Sequence, residues 1–287
     1  MLHVECSGMP YEIGLQHGRA AKEHIGRSIA FYTKLFRLTS KQNWDQVRGT
    51  AGVFNDRISE KWPQYYQEMQ DIAHGANLDV LDIIALHVRT EIAFGQWSDG
   101  CTSLSWKAET QSFIGQNWDW MEEQKAKGLD DSRLPVHLGL RLALKSSLAE
   151  VVMQALEKVG MASSAYMLIA DSKGACGLKI TCKAFDRRHQ GVEEPGWLKD
   201  TVTRVERIKA LATKLGRNTT GLSWEEFSQL FDDHEGFPCS ICRWEPTSLG
   251  MGGSLFNIVM ELTGRRAIVR LGRPCQVECV VELRFDR

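Results

Sequence analysis

A cysteine directly behind a glycine, in Asp99-Gly100-Cys101-Thr102, and an aspartate closing Gly115-Gln116-Asn117-Trp118-Asp119 are the residues of this chain best suited to chemistry. A cysteine attacks a carbonyl as its thiolate, commonly formed with the help of a neighbouring base. The histidines nearest Cys101 in sequence are His87 and His137, and neither sits in a recognisable catalytic motif. Scission of the Gly100–Cys101 bond would supply a base from the same residue. The freed α-amine has an ordinary pKa of about 7.7 to 8, close to working pH. Glycine suits such a bond because, lacking a Cβ, it tolerates the strained backbone that brings a thiol onto its own preceding carbonyl. A core cysteine beside a turn glycine is the structural alternative.

The segment around these residues reads as a β-hairpin. Two strand-like runs flank the polar break Lys107-Ala108-Glu109-Thr110-Gln111-Ser112. A turn centred on residue 110 pairs residues whose numbers sum to 220. That register sets Cys101, Ser103 and Ser105 beside Asp119, Asn117 and Gly115 on a small polar face, with Leu104, Trp106, Ile114, Trp118 and Trp120 on the bulky reverse.

Ahead of the hairpin the chain is mainly helical. Residues 1–9 read as a short strand, Pro10 opens a helix to about Leu35, residues 44–74 form a helical region interrupted near Pro63, and Asp79 starts another to about 91. Behind it come helices over 136–145 and 148–159, a second hairpin from 165–170 and 176–181, and a polar irregular stretch over 184–200. Helices over 201–215 and 223–234 follow, the latter with a capping box from Ser223 and Glu226. Strands over 254–262, 267–271 and 277–285 close the chain. This order predicts an α+β fold with antiparallel hairpins at its centre. Residues 1–100 are a helical lead-in and residues 101–287 carry the nucleophile, both packed as one domain.

Bulk properties narrow the partners. With 35 basic and 36 acidic residues the net charge of -1 gives no general pull toward nucleic acid or an anionic membrane. No apolar run reaches spanning length and no basic-then-apolar leader opens the chain. An intracellular, cytoplasmic protein with eight free thiols is expected. Asn218-Thr219-Thr220 matches a glycosylation acceptor but is irrelevant there. The ending Phe285-Asp286-Arg287 is not a Ser-Lys-Leu peroxisomal address, and the peroxisome stands as the alternative location.

Several ordered blocks together resemble one family. They are Pro10-Tyr11-Glu12-Ile13-Gly14 with His17-Gly18, Arg89-Thr90-Glu91, Asp99-Gly100-Cys101-Thr102, Gly115-Gln116-Asn117-Trp118-Asp119, Gly160 to Ala165, Ser240-Ile241-Cys242-Arg243, Leu255-Phe256-Asn257-Ile258 and Arg270-Leu271-Gly272-Arg273-Pro274. The chain is similar to the acyl-coenzyme A:6-aminopenicillanic-acid acyltransferases, also called isopenicillin N acyltransferases, which are self-processing N-terminal-nucleophile hydrolases. The resemblance implies an α-β-β-α sandwich, cleavage before Cys101 into a small and a large subunit that remain together as a heterodimer, and acyl transfer through a thioester on Cys101. Asp119 would hydrogen-bond the new amine. Acyl-coenzyme A would be a cosubstrate, with an amine or amide as the other small molecule and no bound cofactor.

The chain also departs from the family pattern. Only Met121–Arg133 bridges the Asn-Trp-Asp strand and the Leu134-Pro135 helix, so the central sheets are shortened. The interval Lys183–Lys199 lacks the asparagine of a Thr-Asn-His motif that belongs to the oxyanion site, and Met251 stands where the family has an arginine. Loss of one oxyanion donor costs about 2.7 to 4 kcal/mol of barrier. The departures therefore imply impaired activity, and define an alternative: a non-catalytic relative or truncated gene product acting as a binding or structural protein.

Other candidates read as structural. Cys239-x-x-Cys242 has zinc-ligand spacing, but no second pair follows at a suitable distance and Cys275-x-x-x-Cys279 lies in strand sequence, so no metal is expected. Thioredoxin-like chemistry lacks its βαβ setting. His17 reads as a packed helical histidine, Arg89 and Glu91 as an ion pair, buried or on the surface, and Trp118 and Trp120 as core.

Overall fold

A computed structural model of the chain describes residues 2–92, 102–108, 111–120, 130–146, 148–163, 165–171, 173–180, 185–186, 201–215, 222–237, 240–243 and 253–285. Helix α1, Pro10–Thr39, starts with proline where no intrahelical donor is needed, and Glu12 accepts a hydrogen bond from the Met9 amide. Helix α2, Trp44–Lys61, begins at a reciprocal Asn43–Gln46 box. Helix α3, Pro63–Ala76, restarts the chain after Trp62 and ends on Asn77 in the left-handed region at φ 58°. Asp79 caps α4, Val80–His87, and the short α5, Arg89–Ile92, leads toward the hairpin.

Helices α1 and α3 approach closely because glycines line their contact. A Cβ on Gly18 would stand 2.2 Å from the Ile72 carbonyl oxygen, one on Gly14 2.4 Å from that of Glu68, and one on Gly75 2.6 Å from that of Leu15. The backbone itself is the neighbour, so no side-chain movement relieves such a clash.

Strands β1, Thr102–Lys107, and β2, Ser112–Trp120, open a five-stranded antiparallel sheet. Its order is β1-β2-β6-β7-β8, completed by β6, Gly253–Glu261, β7, Arg266–Arg273, and β8, Gln276–Arg284. Between them lie α6, Val136–Lys145, α7, Ala149–Val159, and a three-stranded antiparallel sheet of β3, Ala165–Ala170, β4, Ala175–Ile180, and β5, Phe185–Asp186. Helices α8, Thr201–Leu215, and α9, Trp224–Gln229, follow. Ser223 and Glu226 form the expected capping box, and α9 tightens into a 3-10 turn at Leu230–Asp232. The fold is α+β.

Two apolar clusters organise these layers. One draws on α1 to α7 and takes Met167 and Ile169 from β3. The other joins Phe113 of β2 and Val259 of β6 to Ile208 of α8, Phe227 of α9, Leu230 and Phe231. Phe113 stacks on Phe227 with ring centroids 5.3 Å apart, and Phe231 meets Phe227 edge-on. Residues 2–7 form no strand, contrary to the sequence reading, and β5 lies in the stretch read as irregular. The remainder of 184–200 lies outside the described residues.

Candidate active site

The expected nucleophile Cys101 and its neighbour Gly100 lie outside the described residues. Asp119 is placed on β2 by its backbone, one residue from the strand's end. Strand β1 begins at Thr102, whose partner is Asn117, and β2 runs on past that pair to Trp120.

The hairpin register differs from the sequence reading by one residue. Ser103 pairs with Gln116, Leu104 with Gly115, Ser105 with Ile114 and Trp106 with Phe113, so paired numbers sum to 219 rather than 220. The Ala108 amide donates to the Gln111 carbonyl at 2.9 Å, leaving two residues between them. A two-residue connection is a favoured hairpin length and gives an odd sum. Tertiary packing supports the same register. A Cβ on Gly115 would sit 2.7 Å from the Phe231 ring, so only glycine fits under that ring. A one-residue slip exchanges faces, and the separation into a polar and a bulky face does not hold. Leu104 and Trp106 share the helix-covered face with Asn117. Next to Asp119 the pairing of β2 with β6 shifts, Trp118 facing Phe256 and Asp119 facing Ser254. Such a bulge bends the strand and increases its local twist.

Along the helix-covered face runs a buried polar chain that sequence reasoning did not single out as functional. Asn117 and Asn257 are both fully buried. Asn117 Nδ2 donates to the carbonyls of Phe231 and Ile241 at 3.0 and 3.1 Å, and its Oδ1 accepts from Asn257 Nδ2 at 3.0 Å. Asn257 Nδ2 also donates to the Gln116 carbonyl. Its Oδ1 accepts from Arg270 Nε at 3.1 Å, and Arg270 Nη2 donates to Ser228 O and Asp232 Oδ1. Every amide hydrogen of the two asparagines has an acceptor, which is what makes such a chain tolerable in a core. Burial raises the Asp232 pKa, and the Arg270 charge beside it pulls it back down. A signal existed: asparagine is depleted in strands, yet Phe256-Asn257-Ile258 puts one between large apolar residues.

A second group gathers where α5 meets the start of α6. Glu91 Oε1 accepts from the Val136 amide and from Ser163 Oγ, both at 2.9 Å, tying α5 to the start of α6. Desolvation raises its pKa, against those hydrogen bonds. No ion pair joins it to Arg89. Arg89 instead donates to the Leu86 carbonyl and lies over the Tyr32 ring. His137 Nε2 lies 3.0 Å from Thr90 Oγ1, and burial holds its pKa well below the usual histidine value. His17 is half-buried, with its pKa lowered mainly by desolvation, as a packed helical histidine should be.

A third group collects sulfur. Cys242, buried, lies with its Sγ 3.4 Å from that of the exposed Cys275. With His234 they form a set whose ligand atoms all lie within 4.8 Å of one another. Burial pushes the Cys242 thiol up to about 12.

The chain is 31% identical over 338 aligned positions to the acyl-coenzyme A:6-aminopenicillanic-acid-acyltransferase 40 kDa form of Emericella nidulans, covering 96% of this chain and 93% of the relative. It belongs to the acyl-coenzyme A:6-aminopenicillanic-acid acyltransferase family. No family model matches the chain. Because 96% of 287 residues is about 275, some 60 of the 338 aligned positions hold residues of the relative alone. The chain therefore lacks internal segments that its relative carries, in keeping with the short link after Asp119. Among the described residues no helix is long and apolar enough to cross a membrane.

Proposed function

We propose that this family member is a self-cleaving cysteine acyltransferase and amidohydrolase, with Cys101 as its N-terminal nucleophile. The observation that carries the reading is the start of β1 at Thr102, immediately behind the Gly100–Cys101 bond, beside a strand that continues to Asp119. In the first reaction the Cys101 thiol adds to the Gly100 carbonyl and the peptide C–N bond breaks, leaving a thioester and a free α-amine. Water then hydrolyses the thioester, releasing residues 1–100 as the small fragment. The two fragments stay together as a heterodimer because the first apolar cluster draws on α1 to α5 before the cut and on α6, α7 and β3 after it.

In turnover the Cys101 sulfur attacks the acyl carbonyl of a thioester or amide donor, while its proton passes to its own α-amine and on to the leaving group. An amine acceptor, or water, then attacks the acyl-enzyme thioester and restores the thiol. Asp119 orients the α-amine by hydrogen bonding. The donor class is acyl-coenzyme A, acting as cosubstrate, since the relative in Emericella nidulans is named for that donor and for the amine 6-aminopenicillanic acid. The arrangement of helices against both sheets supports an α-β-β-α sandwich of the N-terminal-nucleophile hydrolase type, shortened in its centre. The missing internal positions and Met251 weaken oxyanion stabilisation, which lowers turnover without removing the nucleophile.

Incubation with an acyl-coenzyme A and mass analysis of the quenched protein tests this. The expected product is one acyl adduct, labile to hydroxylamine, on a peptide beginning at Cys101, and Cys101→Ser abolishes the thioester. An adduct on another residue, or none while the fragments are formed, overturns the acyl-transfer reading.

A further inference from the structure

His234, Cys242 and Cys275 come from three separate parts of the chain: the end of the 3-10 turn after α9, the loop before β6, and the β7–β8 turn. Their convergence is built rather than incidental. The Cys242 amide donates to the Asp233 carbonyl at 2.9 Å, which holds the His234 segment against the cysteine loop. Arg207 grips the Asp233 carboxylate with Nε at 3.0 Å and Nη2 at 2.6 Å. Ser240 Oγ donates to the Cys242 carbonyl at 2.6 Å, and Arg270 Nη1 reaches the Pro274 carbonyl, steadying the turn that carries Cys275.

We propose that His234, Cys242 and Cys275 form a binding site for a soft divalent metal ion, zinc by chemistry. A tetrahedral ion with Zn–S bonds of about 2.3 Å holds two sulfurs about 3.8 Å apart, close to the 3.4 Å separation here. An imidazole nitrogen within 4.8 Å of both sulfurs completes three ligands after a small closure. Two thiolates and an imidazole select zinc over magnesium or calcium, which take oxygen ligands. Exposed Cys275 gives the ion a way in, and buried Cys242 anchors it. On binding, the two thiols release their protons to solvent and the imidazole stays neutral. The ion ties the β7–β8 turn, whose Pro274 carbonyl accepts from Arg270, to the segments whose Phe231 and Ile241 carbonyls hold Asn117, so it stabilises the buried polar chain. Spacing alone missed the site because its ligands are brought together by the fold.

The test uses the full chain, stripped by chelator under reducing conditions and titrated with cobalt(II) and then zinc(II). The expected result is about one ion per chain, a thiolate-to-cobalt charge-transfer band with tetrahedral visible bands, displacement by zinc, and a higher melting temperature with zinc. Cys275→Ser and His234→Ala, both away from the fully buried core, should each weaken binding at least about tenfold while circular dichroism stays unchanged. Cys279→Ser should bind as the parent does. An absent thiolate band, binding unchanged in Cys275→Ser and His234→Ala, or an oxidised Cys242–Cys275 pair that persists under reductant and excludes cobalt would each overturn the proposal.

Discussion

Burial decides how single side chains behave in this molecule, and His137 shows it most clearly. Its ring is held neutral by desolvation, with the positive charge of Arg89 adding in the same direction. In the unfolded chain the ring titrates near 6.5. Between that value and the depressed native one the unfolded state binds the extra proton, so stability is lost as pH falls below 6.5, with a slope of up to about 1.4 kcal/mol per pH unit. Glu91 acts oppositely: its raised pKa makes the folded state the better proton binder above the unfolded value of 4.5, so stability contributed by its protonation fades as pH rises. Comparing variants isolates the histidine. His137→Gln should lose less stability between pH 7 and 5 than the parent, as measured by urea unfolding at fixed salt. Parallel curves for the two proteins would show that His137 carries no such linkage. Cys101 and Asp119 stand out in the sequence by type and spacing, and the proposal that they do the chemistry rests there, whereas the Asn117–Asn257–Arg270–Asp232 chain was not legible at all. Its members lie more than a hundred residues apart at the extremes, and only sheet pairing brings them together.

Elements were legible where their signals are local. Proline at the start of α1 and α3, the Ser223–Glu226 box and the Asp79 cap all mark ends that the structure keeps to within a few residues. The hairpin was legible as an element but not in register, because the register answers to Gly115 passing under Phe231 and to the connection length, neither of which alternation reveals. The glycines of the α1–α3 contact belong to this scale too. Gly18→Ala forces a methyl against the Ile72 carbonyl, and the helices must separate. A loss of about 1 to 3 kcal/mol is expected, despite the better helix propensity of alanine. Equal or greater stability of Gly18→Ala in urea would mean that the helices do not meet so closely.

At the scale of the whole molecule, a helical lead-in and a sheet-bearing remainder share one apolar cluster across the proposed cut. The helix-to-strand change between α5 and β1 brackets Gly100–Cys101, the bond at which we propose the cut. Reading sequence alone located that change of period. The internal shortening left the number and pairing of central strands to the coordinates. The most direct measurement is the intact mass of the purified chain under denaturing conditions. Self-cleavage predicts two fragments, one ending at Gly100 and one beginning at Cys101, and a single uncut species for Cys101→Ala. A parent protein that stays one uncut chain, with Cys101→Ala behaving identically, would contradict it.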